Sequence, residues 1–472
     1  MKLTRNRYTI LALLGLFSFK TNAQSWSSCG SGMDQTVYAM CADTVNNVVY
    51  AGGAFVKAGG VTVNHIAKWD GSTWSAMGMN MGTNYTMIGT NDTVMSLCMY
   101  QGNLYAGGHF TTAEGSAAPH LAMWNGSTWS AVETSMDGDV HAMAVYQGQL
   151  YASGEFTMID GNSMNHIARW DGSAWSTVGV GLSDDAEALI VYQGNLYAGG
   201  DFFMSGTDSC KNMAMWNGTS WSQVGTGIAT TSMMMNMGMP SMVHSLAICN
   251  GDLYAGGMFL SAGGMNCGNL AKWNGTSWAA TGTVGSGMMS DDVTALCNYK
   301  GVLCVGGMFS SVGGQSMSNM AQCNGAVWTS LGMGANNAVF CMTQLNGTLY
   351  SGGSFTTAGG ASNAYVSQFT GAAGILGWSA TSNAGVSDIF PNPFHGNRAT
   401  LQIDKGSVNE KSVLAICDLT GRQLAALSFE EMQKNKEGEY TFSMEKGIAP
   451  GSYLYLVLNE HQVVGRGKWI VQ

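Results

Sequence analysis

The chain has 472 residues, among them 66 Gly, 34 Met, 14 Trp and only 5 Pro, with 19 basic and 29 acidic side chains. So low a charge density with 46% hydrophobic residues argues against a disordered chain. A net charge of -10 excludes nucleic acid and anionic membrane surfaces as partners, because both require clustered Lys and Arg.

From the N-terminus, residues 1–23 carry Lys2, Arg5 and Arg7, then the apolar run Ile10 to Phe17, then Thr21-Asn22-Ala23. This pattern predicts a secretory signal peptide, the rival being an N-terminal anchor. No later run approaches the roughly 18 apolar residues of a spanning helix, so no transmembrane segment is expected in the mature chain. Charge then divides what remains. Residues 24–386 hold 6 basic and 19 acidic side chains, whereas residues 387–472 hold 9 and 10. The jump predicts a first domain over 24–380, a linker over 381–387 and a second domain over 388–472.

An internal repeat dominates the first domain. One phrase occurs seven times: VYAGGAF (49–55), LYAGGHF (104–110), LYASGEF (150–156), LYAGGDF (196–202), LYAGGMF (253–259), LCVGGMF (303–309) and LYSGGSF (349–355). A second phrase follows each, from Trp69-Asp-Gly with Trp74 to the decayed Phe369-Thr-Gly with Trp378. Successive second Trp residues, counted from Trp26, mark units of 48, 55, 46, 46, 57, 50 and 50 residues. Each unit reads as four strands, a to d; in the third they are Val140 to Gln147, Gln149 to Thr157, Asn165 to Trp170 and Ala174 to Val178. The a–b and c–d turns, rich in Gln-Gly, Asn-Gly and Asp-Gly, are expected to be hairpins of two or three residues. Length variation then falls in the d–a and b–c loops, on the opposite face.

Seven such units predict an all-β, seven-bladed β-propeller. Strand a carries a small residue at its third position (Ala39, Ser96, Ala142, Ala188, Ser245, Ala295, Cys341) and a large apolar one at its fourth, as a crowded inner strand requires. Trp26-Ser-Ser repeats the d-strand phrase, so residues 26–30 are expected to pair with about 365–370 and leave no open edge.

The glycine doublet, the later aromatic and the Trp five residues beyond it resemble the kelch-type propeller repeat. The phrase "LYAGGxFTxAGG…IAxWDGSxWS" is closer still to the repeats of fungal cortical cell-polarity proteins and their bacterial relatives. The tail has Pro391-Asn392-Pro393 at its head, then Gly421, Gly451 and Tyr453, and Lys468 near its end. It resembles the C-terminal sorting domain of the Bacteroidetes type IX secretion system, the bland alternative being an ordinary immunoglobulin-like module. That resemblance implies a small immunoglobulin-like β-sandwich, recognition by an outer-membrane translocon, and a cell-surface or extracellular location.

No G-x-S-x-G, H-E-x-x-H, phosphate loop or paired C-x-x-C occurs, so no catalytic residue is assigned and the protein is not expected to be an enzyme. His65, His120 and His166 alternate with Asn at equivalent positions and are expected to serve turns. Cys41, Cys98 and Cys297 read as packing residues, and Cys210–Cys267 as the disulfide to test first. Asp34, Asp137, Asp139, Asp184, Asp185, Asp291 and Asp292 fall in d–a junctions and form a candidate acidic rim for a metal or ligand. Asp137-Gly-Asp139 is the one hint of Ca²⁺. Met77, Met79 and Met81, with Met233, Met234, Met235, Met237 and Met239, form a thioether cluster suited to Cu(I) or to adaptable packing. The expected function is therefore a surface binding or structural protein presenting one loop face to a glycan, a protein or a cation. The alternatives are an extracellular polysaccharide-active enzyme and a Cu(I)-binding protein.

Overall fold

The computed structural model describes residues 26–78, 89–229, 241–285, 291–323 and 328–370, together with segments between 387 and 471. Every regular element among them is a strand, and none is a helix long and apolar enough to cross a membrane. Residues 1–23, and 381–386 of the expected linker, lie outside the described residues; Ser387 already begins a strand.

Seven four-stranded antiparallel sheets follow the repeat. In the third unit the strands are Val140–Tyr146 (a), Gln149–Gly154 (b), Ile167–Trp170 (c) and Trp175–Thr177 (d), paired in that order. Six sheets are each made by one unit, whereas the seventh takes its outer strand from the N-terminus: Trp26 pairs with Phe369 and Ser28 with Ser367. The start of the chain is thus tied to residues more than 300 positions away, as the Trp26 phrase predicts. Trp378 lies outside the described residues.

Turn chemistry explains the hairpins. Gln101-Gly102 has φ of 49° and 79°, and Lys300-Gly301 has 53° and 80°, the left-handed pair of a two-residue turn whose twist matches its strands. The c–d turns are longer than expected. Four residues, Asp70 to Thr73, separate c from d in the first unit, and Asp70 Oδ1 accepts from the backbone N–H of both Ser72 and Thr73. That carboxylate replaces the cross-strand hydrogen bonds that a shorter turn would supply.

The b–c loops hold an element that strand alternation did not reveal. Met158–Ile159 and Asn162–Ser163 form a two-stranded hairpin, and equivalents recur in the other units. The d–a segment bridges onto it at Met33–Ala58, Thr90–Ala113, Met136–Ile159, Val284–Val312 and Ala335–Ala358. The two loop sets therefore form one hydrogen-bonded surface.

The glycine doublet sets how closely sheets approach. A Cβ on Gly52 would run into Val94, the opening residue of the next sheet; Gly107 meets Val140, Gly199 meets Val243, Gly256 meets Val293, and Gly306 meets Val339. Gly352 meets Val37, which carries the seventh sheet onto the first. In the third sheet Ser153 replaces this glycine and the smaller Ala186 replaces the valine, with Ser153 Oγ donating to the Ala186 carbonyl at 2.8 Å. Each strand a also contacts strand a of the next sheet, and Val339–Leu345 contacts Val37–Asp43. Apolar cores fill the spaces between neighbouring sheets.

The tail forms two further antiparallel sheets. One orders Ser387–Phe390, Arg398–Ile403, Glu439–Ser443 and Gln433–Lys436; the other orders Gln423–Ser428, Val413–Cys417, Gly451–Asn459 and Gln462–Val471. Leu401 and Phe442 of the first share a core with Ile416, Tyr453 and Tyr455 of the second. Tyr453 is thus a core residue, Gly451 opens its strand and Lys468 pairs with Leu454, while Pro391, Asn392, Pro393 and Gly421 lie outside the described residues.

Candidate functional site

Each strand a carries a β-bulge at its start, a register break between its first and third residues, or its second and fourth in Met242–Cys249 and Asp292–Tyr299. The second glycine of each doublet permits it. A Cβ on Gly200 would strike the Asp185 carbonyl, and one on Gly307 the Asp292 carbonyl. The bulged residues are Tyr38, Met95, His141, Glu187, His244, Thr294 and Phe340, all half-buried. A bulge re-aims a side chain, and these turn toward one another. Tyr38 and Phe340 have ring centroids 5.3 Å apart, and His244 Nδ1 lies 2.7 Å from Glu187 Oε2. Of these seven, Tyr38, Met95 and Phe340 are aromatic or apolar, whereas His141, Glu187 and His244 form an ionisable side.

On the ionisable side, groups converge from three registers: the residue before strand a, the bulged residue, and the residue after the glycine doublet. His141 Nδ1 lies 2.8 Å from Asp185 Oδ2, and its Nε2 3.8 Å from Glu155 Oε1. His244 Nε2 faces Asp292 Oδ2 at 3.4 Å. Farther round, Asp139 takes His109 Nδ1 and His120 Nδ1, each at 2.8 Å. Among the described residues the one ion pair made by Lys or Arg is Lys272–Asp252, away from this cluster. Imidazole is therefore the cation available to these carboxylates.

Burial opposes charge on His244, but the Glu187 hydrogen bond and the charges of Asp292, Glu187 and Asp201 push it up to about 9. Burial likewise opposes charge on His141, and its hydrogen bond to Asp185 still raises it. Asp185 and Asp201 divide. Burial works against ionising Asp185, yet hydrogen bonds from His141 and Asp201 hold it below the usual range. Asp201 is raised by burial and by that same contact with Asp185. Its Oδ1 is sealed from solvent and has no hydrogen-bond partner. Two sets offer converging ligand atoms, each within 4.8 Å of one another: His141, Asp185 and Glu187, and Asp184, Asp185 and Asp201.

The expected acidic rim is thus partly assembled and partly dispersed. Asp139, Asp184, Asp185 and Asp292 join the cluster. Asp34 and Asp137 do not, because each accepts two backbone N–H groups of the b–c hairpin, Val56 and Lys57 in one case and Thr157 and Met158 in the other. In the Asp137-Gly-Asp139 phrase, Asp137 is engaged by backbone amides and Asp139 by two imidazoles. Asp291 is buried and lines a separate cavity with Asn319 and Asn336.

Four contributors escaped sequence reasoning: His109, Glu155, Glu187 and Asp201. Their signal was variability. In strands whose neighbouring positions are uniformly small or large, the second position runs Tyr, Met, His, Glu, His, Thr, Phe, and the residue after the doublet varies as widely.

Other expectations resolve locally. His65, His120, His166, Asn212, Asn269, Asn319 and Tyr365 all have φ between 59° and 69°, so the His–Asn exchange reflects a left-handed backbone position. Cys210 and Cys267, the pair to test first for a bridge, are buried and free. Burial pushes the Cys41 thiol up to about 11 and those of Cys98 and Cys297 up to about 12, as inert packing residues. Met77 is buried; Met79, Met81, Met233, Met234, Met235, Met237 and Met239 lie outside the described residues. No protein-family model matches the chain, and no curated protein matches it.

Proposed function

We propose that this protein is an exported surface binding protein: a seven-bladed propeller whose loop face holds a divalent cation, delivered by an immunoglobulin-like type IX sorting domain. The propeller reading is supported by seven like sheets, by the cyclic succession of strand a contacts, and by the Gly352–Val37 and Trp26–Phe369 junctions. The sorting reading rests on the tail's motif order. Its translocon partner and cell-surface destination follow from that resemblance.

One observation carries the cation: imidazole and carboxylate atoms of His141, Asp185 and Glu187 converge within 4.8 Å. The partnerless Asp201 oxygen beside Asp185 adds an acceptor with nothing to accept from. Mixed nitrogen and oxygen ligands favour Zn²⁺ or Mn²⁺ over Ca²⁺, which prefers oxygen alone. The polysaccharide-enzyme alternative is less well served. A glycosidase carboxyl pair is set about 5 to 9.5 Å apart, whereas the Asp184, Asp185 and Asp201 oxygens lie within 4.8 Å. Titration calorimetry of the full chain with Zn²⁺, Mn²⁺ and Ca²⁺ tests the reading. A single transition-metal site is expected, weakened at least roughly tenfold by Asp185→Asn with Glu187→Gln. Calcium binding alone, or no binding, would sink it.

A further inference from the structure

At six of the seven junctions that follow strand d, the second residue beyond the strand's described core phrase is a glycine with positive φ: Gly30 at 61°, Gly78 at 121°, Gly179 at 61°, Gly225 at 60°, Gly282 at 112° and Gly332 at 64°. The d-strand Trp of the next sheet donates its Nε1–H to the carbonyl just before it, and at Gly30, Gly179, Gly225 and Gly282 it also lies against the glycine. Trp74 reaches Cys29 at 2.9 Å, Trp129 Met77 at 3.3 Å, Trp221 Val178 at 2.9 Å, Trp278 Val224 at 3.0 Å, Trp328 Thr281 at 2.8 Å, and Trp26 Leu331 at 3.0 Å.

The remaining junction breaks the pattern twice. Glu133 stands where the glycine should be, and Trp175 Nε1 is buried without a partner. Glu133 is only 5% exposed, and neither of its oxygens has a hydrogen-bond partner. Beside them a cavity of about 460 Å³ opens, lined by Glu133, Trp170, Trp175, Asp160, Asn162 and Ser173 among others. Trp175 is half-buried, whereas its six counterparts are buried, and its ring centroid lies 5.3 Å from that of Trp170.

We propose that this cavity is a carbohydrate subsite, taking one neutral sugar ring against Trp170 and Trp175 with a hydroxyl shared between Trp175 Nε1 and Glu133. An indole N–H can only donate, whereas a protonated carboxyl group can donate and accept, so a hydroxyl, which does both, can serve the two together. Glu133 lies in surroundings that push it up to about 9, through burial first and the Asp160 charge second. It therefore keeps its proton near neutrality and suits an uncharged ligand. Asp160 is held by Thr134 and Ser135, whose N–H groups donate to its Oδ1 at 3.0 and 2.9 Å, and it repels an anion. The Glu133 oxygens are closed to solvent, so binding requires the side chains that cover them to give way, and Trp175 lacks the hydrogen bond that anchors its counterparts. The volume falls within the range of small-ligand sites.

The inference rests on the loop face being a binding surface, but not on the cation. Saturation-transfer NMR of the full chain with glucose, galactose, mannose and N-acetylglucosamine tests it. At least one sugar should receive saturation, and its affinity should fall roughly tenfold or more in Glu133→Gly and in Trp175→Ala. Glu133→Gly restores the residue found at the six other junctions, so it should fold, which its thermal unfolding checks. Asp185→Asn with Glu187→Gln should leave the sugar response unchanged. The proposal is overturned if no sugar responds, if Glu133→Gly binds as well as the native chain, or if butylammonium binds more tightly than every sugar. A response lost in the Asp185 and Glu187 variant but kept in Glu133→Gly also overturns it, placing the sugar at the cation site and leaving the broader binding role intact.

Discussion

Glu133, which is buried, and His244, which is half-buried, are ionisable groups held by opposite means, one by lack of partners and one by an excess of them. Both nevertheless titrate high, Glu133 from 4.5 to about 9 and His244 from 6.5 to about 9. The sign is the same for each. Where the unfolded chain has released the proton and the folded chain has kept it, stability falls as pH rises. Glu133 contributes fully below 4.5 and loses its contribution up to about 9; His244 does so from 6.5 to about 9. Between 4.5 and 6.5 the decline belongs, among the described residues, to raised carboxyl groups, Glu133 together with Asp201. Denaturant unfolding across that window should therefore show Glu133→Gln reducing the slope by up to about 1.4 kcal/mol per pH unit, without abolishing it. An unchanged slope would mean that Glu133 is solvated. Residue type alone marked Asp139, Asp184, Asp185 and Asp292, because Asp at the start of a strand is conspicuous. Glu187 and Asp201 were hidden, because only the bulge and the sheet-to-sheet approach bring them to Asp185 and His244.

At the scale of the element, the opening residue of one strand a and the first glycine of the preceding b strand behave as a matched pair. Gly199→Ala would place its Cβ 2.5 Å from Val243 Cγ1 and 3.0 Å from its Cβ. Such overpacking costs about 1–3 kcal/mol. Val243→Ala in the same chain should recover much of that loss, since Ser153 and Ala186 already show the smaller combination accommodated. Additive effects in a double-mutant cycle would break the pairing argument. The hairpin turns were legible in sequence because Gln-Gly and Asn-Gly impose φ directly. The b–c hairpin was not, since its two-residue strands are too short for alternation to register and depend on d–a partners distant in sequence.

For the whole molecule, the N-terminal strand completes the seventh sheet. Trp26 is 4% exposed, packs at 5.1 Å from Phe369 and donates to the Leu331 carbonyl. Trp26→Ala should cost about 3–5 kcal/mol. Deleting residues 24–30 should lower the unfolding midpoint further and bare the edge of Val366–Phe369 to intermolecular pairing, read as concentration-dependent association. An unchanged midpoint with no concentration dependence would refute that role. The tail invites a separate test. Removing Asp388 to Gln472 should leave the repeats folded but retained in the periplasm; normal surface delivery would defeat the sorting proposal.

By itself the sequence determined the repeat, the four strands per unit and the partner of Trp26, because these depend on local periodicity, turn residues and one duplicated phrase. Tertiary structure decided which polar residues meet. Asp137 and Asp185 occupy similar loop positions, yet one is consumed by backbone amides and the other faces His141 from the neighbouring sheet. Likewise Glu133 is one substitution in a run of glycines, and only the packing of Trp175 above that junction turns it into a buried carboxyl group beside a cavity. Pairing along a strand is encoded by neighbours in the chain. Convergence between sheets depends on bulges and close backbone approach, which no local pattern reports.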